Sequence, residues 1–187
     1  TEYPDVVFGK VDTEAEREIA GAAGITSIPT LMAFREGVLV FSQPGALPAS
    51  ALREVIEQVK ALDMTEIHAK VAAMQALDEL PVEVSHSDFV AGHGQGRTVV
   101  DVREPMEYRA GHVPGAILMP MYQIASRAGE LPKDEPVYVI CETGNRSVAM
   151  TSVLRRAGVR AFSVAGGTSQ WASEGREIVT GPYPRAQ

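Results

Sequence analysis

The chain has 187 residues and a net charge of −7 at pH 7, with 45% hydrophobic and 22% charged residues. This is an ordinary globular composition, long enough for one large domain or two small ones. The acidic balance argues against nucleic acid and anionic lipid as partners. No apolar run approaches the length that spans a bilayer, and no signal-peptide pattern is visible, so we expect no membrane partner.

The sequence contains one cysteine and four histidines. A single cysteine cannot form an internal disulfide, which fits a reducing compartment, and we expect a cytoplasmic protein. The histidines lack the spacing of metal ligands, so we expect neither a metal nor another cofactor. They are His68, His86, His93 and His112.

The first sixty residues predict a strand, a helix, a hairpin and a second helix. Valine-rich alternation predicts the strand, and a capping-box pattern begins the first helix. A Glu-Gly turn joins the two hairpin strands, and apolar residues at helical spacing predict the second helix. In chain order these elements cover residues 5–11, 13–23, 31–34 with 38–41, and 48–62.

Residues 65–80 have a helical apolar pattern and could join two domains. Beyond Pro81, short apolar strands alternate with helices, which is typical of a parallel sheet with helices on both faces. We therefore predict an N-terminal domain over 1–63, a helical linker over 64–80 and an α/β domain over 81–187. The predicted strands of this domain cover 82–85, 98–102, 116–119, 136–140 and 161–164. Its predicted helices cover 87–91, 104–110, 122–129, 147–157 and 168–174.

Cys141 lies between a buried strand and a polar loop that leads into a helix. In parallel sheets, ligands bind where strands end and helices begin. Loop amides, a helix N-terminus and a nearby cation lower a thiol pKa from about 8.5 to about 3.5–7.5. The sequence therefore predicts that Cys141 is a catalytic thiolate and that the loop cradles an anion. Gly144 is expected to adopt a positive φ, and Arg146 is expected to add a cation near the rim of the loop. The candidate substrate-binding residues are Glu142, Thr143, Gly144, Asn145, Arg146 and Ser147.

Four motifs resemble those of rhodanese-like sulfurtransferases, in the order of that family. The resemblance covers about residues 82–179 and implies the rhodanese fold, a parallel sheet flanked by helices. It also implies that Cys141 accepts a sulfane sulfur as a persulfide from a small-molecule or protein donor and passes it to a thiol or cyanide. The motifs are Asp101 to Glu104, Gly111 to Ala116, Cys141 to Ser147, and Gly166-Gly167 with Trp171.

The length and the charge of the loop indicate which substrates it suits. Arg146 lies five positions after Cys141, whereas phosphatases of this fold have a loop one residue longer, so the shorter loop suits sulfur better than a phosphoryl group. Glu142 would repel thiosulfate, a dianion, so we expect a persulfide-bearing thiol to be the better donor.

A persulfide-responsive or redox-responsive module that relays sulfur with little turnover would use the same cysteine, and the sequence does not separate it from an enzyme.

The outer motif residues are predicted to be structural. Asp101 and Arg103 would anchor the loop from below. His112 is predicted to be a hydrogen-bonded turn residue, and Trp171 is predicted to lie in the core. The glycine-rich stretch 92–96 is predicted to form a surface turn.

Residues 3–62 resemble the C-terminal half of thioredoxin and imply a partial thioredoxin-like βαββα unit. Pro29, just before a strand, matches that family's cis-proline, so we expect a cis Ile28–Pro29 bond. The family's first strands and its paired-cysteine helix do not occur here, which would leave an unpaired sheet edge. Three accounts remain open. The chain could be a piece of a longer thioredoxin–rhodanese fusion with thiol-disulfide reductase activity, it could self-associate through its incomplete sheet, or this unit could be a degenerate docking module.

Overall fold

The computed structural model describes residues 2–182. It divides into two compact units, Thr1–Glu66 and Ile67–Gln187. The end of the predicted α/β domain, residues 183–187, lies outside the described residues. Within the described part of the chain, no helix is long and apolar enough to cross a membrane.

The first unit contains the predicted hairpin and both predicted helices. Strands β1 and β2 pair antiparallel through a turn at Glu36-Gly37, where both residues have positive φ. The Ile28–Pro29 bond is cis, as expected from the sequence. The elements are α1 (Arg17–Ala22), β1 (Thr30–Arg35), β2 (Val38–Pro44) and α2 (Ala49–Ala61).

The predicted strand over 5–11 is wrong. The sheet of this unit consists of β1 and β2 alone among the described residues, so the segment has no neighbour with which to form a ladder. Alternation of side chains makes a strand only where another strand accepts its backbone hydrogen bonds. Val7 and Phe8 are accordingly 96% and 61% exposed.

Among its described residues the first unit has no cluster of buried apolar side chains: none of residues 2–63 is buried, and Met64 is the one buried residue between positions 2 and 66. Polar contacts contribute to holding it together. The Arg35 guanidinium donates to the carbonyl oxygens of Val59, Lys60 and Leu62 at 2.8–2.9 Å. This cation ties the hairpin to the C-terminal end of α2, where it also complements the helix dipole. Self-association through this unit stays a prediction.

The helix predicted over 65–80 is confirmed as α3 (Met64–Asp78). The second unit then forms a five-stranded sheet in the order β3-β7-β6-β4-β5, with every pair parallel. This confirms the parallel sheet flanked by helices. The strands are β3 (Glu83–Val84), β4 (Val99–Asp101), β5 (Ile117–Leu118), β6 (Val137–Ile140) and β7 (Ala161–Val164). The helices are α4 (His86–Gly94), α5 (Pro105–Ala110), α6 (Ile124–Arg127), α7 (Asn145–Arg156) and α8 (Gly167–Ser173).

Two predicted elements of this unit differ in detail. The predicted helix over 122–129 is a short α-helix between two 3-10 turns, Met121–Gln123 and Ala128–Glu130. The glycine-rich stretch 92–96 is not a simple surface turn, because α4 continues to Gly94. Gly92 is needed inside this helix since a Cβ there would overlap the ring of Tyr138.

Strand β6 lies at the centre of the sheet, and all four of its residues are buried. Its side chains alternate between the two apolar cores: Val137 and Val139 enter one, while Tyr138 and Ile140 enter the other. Full burial of such a side chain contributes about 1.5–3 kcal/mol. The strand is therefore a rigid base for the residue that follows it.

Candidate active site

Cys141 comes directly after β6 and remains buried, with 1% of its surface exposed. The neighbouring strand β4 ends at the same edge, where the Val102 amide donates to the Ile140 carbonyl at 3.0 Å. The chain then turns through Gly144, whose φ of 107° is left-handed, and α7 begins at Asn145. The strand end, the turn and the helix start bring the loop around the sulfur.

The loop directs hydrogen-bond donors at the thiol. The Gly144 amide donates to Cys141 Sγ at 3.2 Å, and Ser147 Oγ lies 3.5 Å from the same sulfur. Burial raises the pKa of the Cys141 thiol, but hydrogen bonds from the Ser147 hydroxyl and from the amides of Ser147, Gly144 and Thr143 lower it by more. The pKa of Cys141 therefore lies below that of an ordinary thiol, which increases the fraction present as the nucleophilic thiolate.

Ser147 also belongs to a buried pair of hydroxyls. Its Oγ lies 2.9 Å from Ser163 Oγ on β7 and donates to the Gly144 carbonyl at 2.8 Å. When the sulfur is ionised, the Ser147 hydroxyl can turn to donate to it while Ser163 donates to Ser147. Hydroxyl hydrogens rotate in this way to suit their acceptors. Ser147, supported by Ser163, can therefore hydrogen-bond with Cys141 whether the cysteine is a thiol or a thiolate.

Replacing Ser147 with alanine is expected to raise the pKa of Cys141, because the thiolate loses a hydrogen-bond donor while burial remains. The thiolate fraction, and hence the rate of alkylation by iodoacetamide near neutral pH, should fall, with the midpoint of its pH profile moving upward. Ser152→Ala, at an exposed position of the same helix, is the control. An unmoved midpoint in Ser147→Ala would contradict this role.

Helix α8 forms hydrogen bonds with the start of the loop. The amides of Thr168 and Ser169 donate to the carbonyls of Cys141 and Glu142 at 2.8 and 3.0 Å. Gly167 permits this approach, since a Cβ at that position would collide with both carbonyl oxygens. These two hydrogen bonds and the close approach at Gly167 fix the start of the loop against α8.

Arg146 makes a two-point ion pair with a residue of α5. Its Nη1 and Nη2 lie 2.8 and 2.6 Å from the carboxylate oxygens of Glu107. Hydrogen bonds from Arg146 lower the pKa of Glu107 to about 2. Glu107 in turn raises the pKa of Arg146, and the neighbouring Cys141 adds to that rise. The cation predicted at the rim is therefore present but already paired.

A second charge network lies beneath the loop. Arg103 is buried and binds both oxygens of the fully buried Asp101 at 2.7–3.0 Å. It also donates to the Glu142 carboxylate at 2.8 Å. A hydrogen bond from Ser169 and the ion pair with Arg103 lower the pKa of Glu142. Arg103 thus connects the end of β4 to the loop, in the anchoring position that the sequence suggested.

The structure brings together part of the predicted site. Gly144 and Ser147 contact the sulfur, and Arg146 lies beside it. The side chains of Thr143 and Asn145 are exposed, so Thr143 contributes through its amide.

Two residues of the site escaped prediction, Glu107 and Ser163. The signal for Ser163 was a serine within an apolar strand, and for Glu107 it was the Glu-x-x-Glu pattern that begins the helix after β4. Among residues 2–182, no group of three or more His, Cys, Asp or Glu side chains is arranged to hold a metal ion.

The outer motif residues have the structural roles that were expected. His112 stacks on the Tyr108 ring, with centroids 3.5 Å apart, and its Nδ1 lies 2.7 Å from the Tyr108 carbonyl. Trp171 is buried in the core, where its indole donates to the Glu177 carbonyl at 2.7 Å. Neither side chain has a described contact with Cys141.

The parallel sheet carries a buried cysteine with a lowered pKa at its carboxyl edge, and comparison with known proteins identifies the family of this α/β domain. The model of the rhodanese-like domain matches residues 85–174, and that of thioredoxin matches residues 1–58. A sulfurtransferase from Allochromatium vinosum is 38% identical over 82 residues, which cover 43% of this chain and 77% of that protein. The chain belongs to the rhodanese-like family through its second unit.

A solved structure and a second relative extend the comparison. The crystal structure of a rhodanese-related protein from Thermoplasma volcanium matches with a TM-score of 0.50 and 31% identity, covering 54% of this chain and all of that one. "Putative thioredoxin 2" from Streptomyces coelicolor is 63% identical over 73 residues, or 39% of this chain. The chain spans only 54% of that relative's length. The matches together support sulfur transfer as the class of reaction and show a thioredoxin segment ahead of it.

Proposed function

We propose that the protein is a sulfurtransferase that carries sulfur as a persulfide on Cys141. The observation that carries the proposal is the convergence of loop amides and the Ser147 hydroxyl on a buried thiol whose pKa they lower. The same donors suit the anionic outer sulfur of a persulfide, because charge-assisted hydrogen bonds are the strong ones.

The reaction has two displacement steps. The Cys141 thiolate attacks the outer sulfur of a donor R–S–S–H, the donor S–S bond breaks, R–S⁻ leaves, and Cys141 becomes Cys–S–S–H. An acceptor thiolate R′–S⁻ then attacks that outer sulfur, forming R′–S–S–H and restoring the Cys141 thiolate. With cyanide as acceptor, the persulfide anion yields thiocyanate and the thiolate. The thiol acceptor can belong to a small molecule or to a protein.

Mass spectrometry of the intact chain tests this proposal. After treatment with glutathione persulfide and removal of excess donor, we expect a mass gain of one sulfur atom on Cys141, discharged by cyanide or a thiol. Cys141→Ser is the control and should gain no such sulfur. A chain that gains no sulfur from glutathione persulfide or from thiosulfate would overturn the proposal, whereas stable loading with negligible turnover would identify a relay module.

A further inference from the structure

Both arginines described beside the Cys141 loop are paired with carboxylates. Arg146 is bound by the two oxygens of Glu107. Arg103 is bound by Asp101 and Glu142. A donor that approaches Cys141 therefore meets two neutralised guanidinium groups, although the sequence alone suggested one available cation.

The Glu107 carboxylate is held in place as well as charged. Its Oε2 accepts both the Arg146 Nη1 at 2.8 Å and the Glu104 amide at 2.9 Å, while Oε1 accepts Arg146 Nη2 at 2.6 Å. The amide of Glu104 belongs to the start of α5. Because the helix start fixes the carboxylate, the ion pair does not depend on a freely rotating surface side chain. With a pKa of about 2, Glu107 also remains ionised near neutral pH.

The pairing affects donors differently according to their charge. Thiosulfate is a small dianion whose charge lies on the terminal sulfur that is transferred and on the sulfonate oxygens of the group that leaves. An organic persulfide that reacts as R–S–S–H carries no charge on its two sulfur atoms, so any charge on the group R lies farther from the reacting atoms. A paired guanidinium and the nearby carboxylates attract the dianion less than a free guanidinium would.

We propose that Glu107 determines donor specificity by neutralising Arg146, so that persulfides of thiols are used in preference to thiosulfate. This inference rests on the proposed function of Cys141. In the disfavoured reaction the thiolate attacks the outer sulfur of thiosulfate, the S–S bond breaks, and sulfite leaves as the dianion while the persulfide forms. The two negative charges stay beside the rim throughout, where a free Arg146 would stabilise them.

Glu142 is the weaker candidate for this role. Its carboxylate is 46% exposed, so solvent screens it. Its partner Arg103 is also bound by buried Asp101, so loss of Glu142 frees no cation. Glu107 is the carboxylate whose removal exposes an unpaired guanidinium next to Cys141.

The test compares kcat/KM for thiosulfate with kcat/KM for glutathione persulfide, using cyanide as acceptor. In Glu107→Gln, the ratio of the thiosulfate value to the persulfide value should rise about tenfold, which corresponds to about 1.4 kcal/mol. Glutamine keeps an acceptor for the Glu104 amide and removes only the charge. The matched control is Glu104→Gln, which removes one charge from the same turn without contacting Arg146, and its ratio should stay within about twofold of wild type.

Combining Glu107→Gln with Arg146→Gln identifies the source of the change. If the gain comes from the freed guanidinium, the double variant should lose it, and the two substitutions should be strongly non-additive. A ratio unaffected by Glu107→Gln, or raised more by Glu142→Gln, would overturn the inference while transfer itself persists. Failure of the proposed function is distinct, because no variant would then load sulfur from either donor.

Discussion

Replacing Arg103 with methionine is expected to lower the free energy of unfolding of the second unit by about 3–5 kcal/mol. Asp101 has no exposed surface, and three of the hydrogen bonds to its carboxylate come from the Arg103 side chain. Without the guanidinium, a buried carboxylate remains without its counter-charge. Urea unfolding of the whole chain, followed by fluorescence of Trp171, measures the change, since Trp171 is the only tryptophan in the sequence.

Arg97→Met is the matched control for this experiment. Arg97 pairs with Glu135, but both side chains are more than a third exposed. Exposed ion pairs contribute about 0–1 kcal/mol, so this variant should unfold close to wild type. Replacing Asp101 and Arg103 together by leucine and methionine should recover part of the loss, because it removes both buried charges. Equal losses in Arg103→Met and Arg97→Met would contradict the network's structural role.

Replacing Gly167 with alanine is expected to reduce kcat/KM for sulfur transfer from glutathione persulfide to cyanide by about a hundredfold. A Cβ at this position collides with the carbonyls of Cys141 and Glu142, and both are backbone atoms that cannot rotate away. The loop must move to relieve the overlap, and a displacement of about 1 Å can lower a rate by about 10². The left-handed φ of 56° adds strain of about 1–2 kcal/mol.

Gly96→Ala separates these two effects. Gly96 has a similar φ of 74°, but a Cβ there meets nothing within 4 Å. This variant should show only the backbone strain, as a small loss of stability, with transfer within about twofold of wild type. If both variants lose activity equally, strain rather than displacement of the loop is responsible.

The sequence predicted the loop better than its surroundings for a physical reason. A strand, a glycine turn and a helix start are local features, so the residues from Cys141 to Ser147 define the cradle largely by themselves. The partner of Arg146 depends on how α5 packs near α7, and no local sequence pattern predicts that packing. The sequence therefore indicated a cation at the rim, while the structure reveals the carboxylate that neutralises it.

The N-terminal unit shows the opposite case. The alternation over 5–11 is a valid strand pattern, but a strand also requires a neighbour, and pairing depends on distant sequence. The hairpin of β1 and β2 was predictable because both partners and their turn lie within fifteen residues of one another. Within this unit, the strand prediction thus succeeds for the hairpin, whose two strands are close in sequence, and fails for residues 5–11, which have no strand partner among the described residues.

The absence of a buried residue between positions 2 and 63 has a consequence for every unfolding experiment on this chain. The slope of a denaturation curve scales with the surface that becomes accessible on unfolding. A unit that already exposes most of its side chains adds less to that slope than its length suggests. We therefore expect the cooperative transition to report chiefly on the unit that carries Cys141. The m-value should be smaller than that of a fully packed protein of 187 residues.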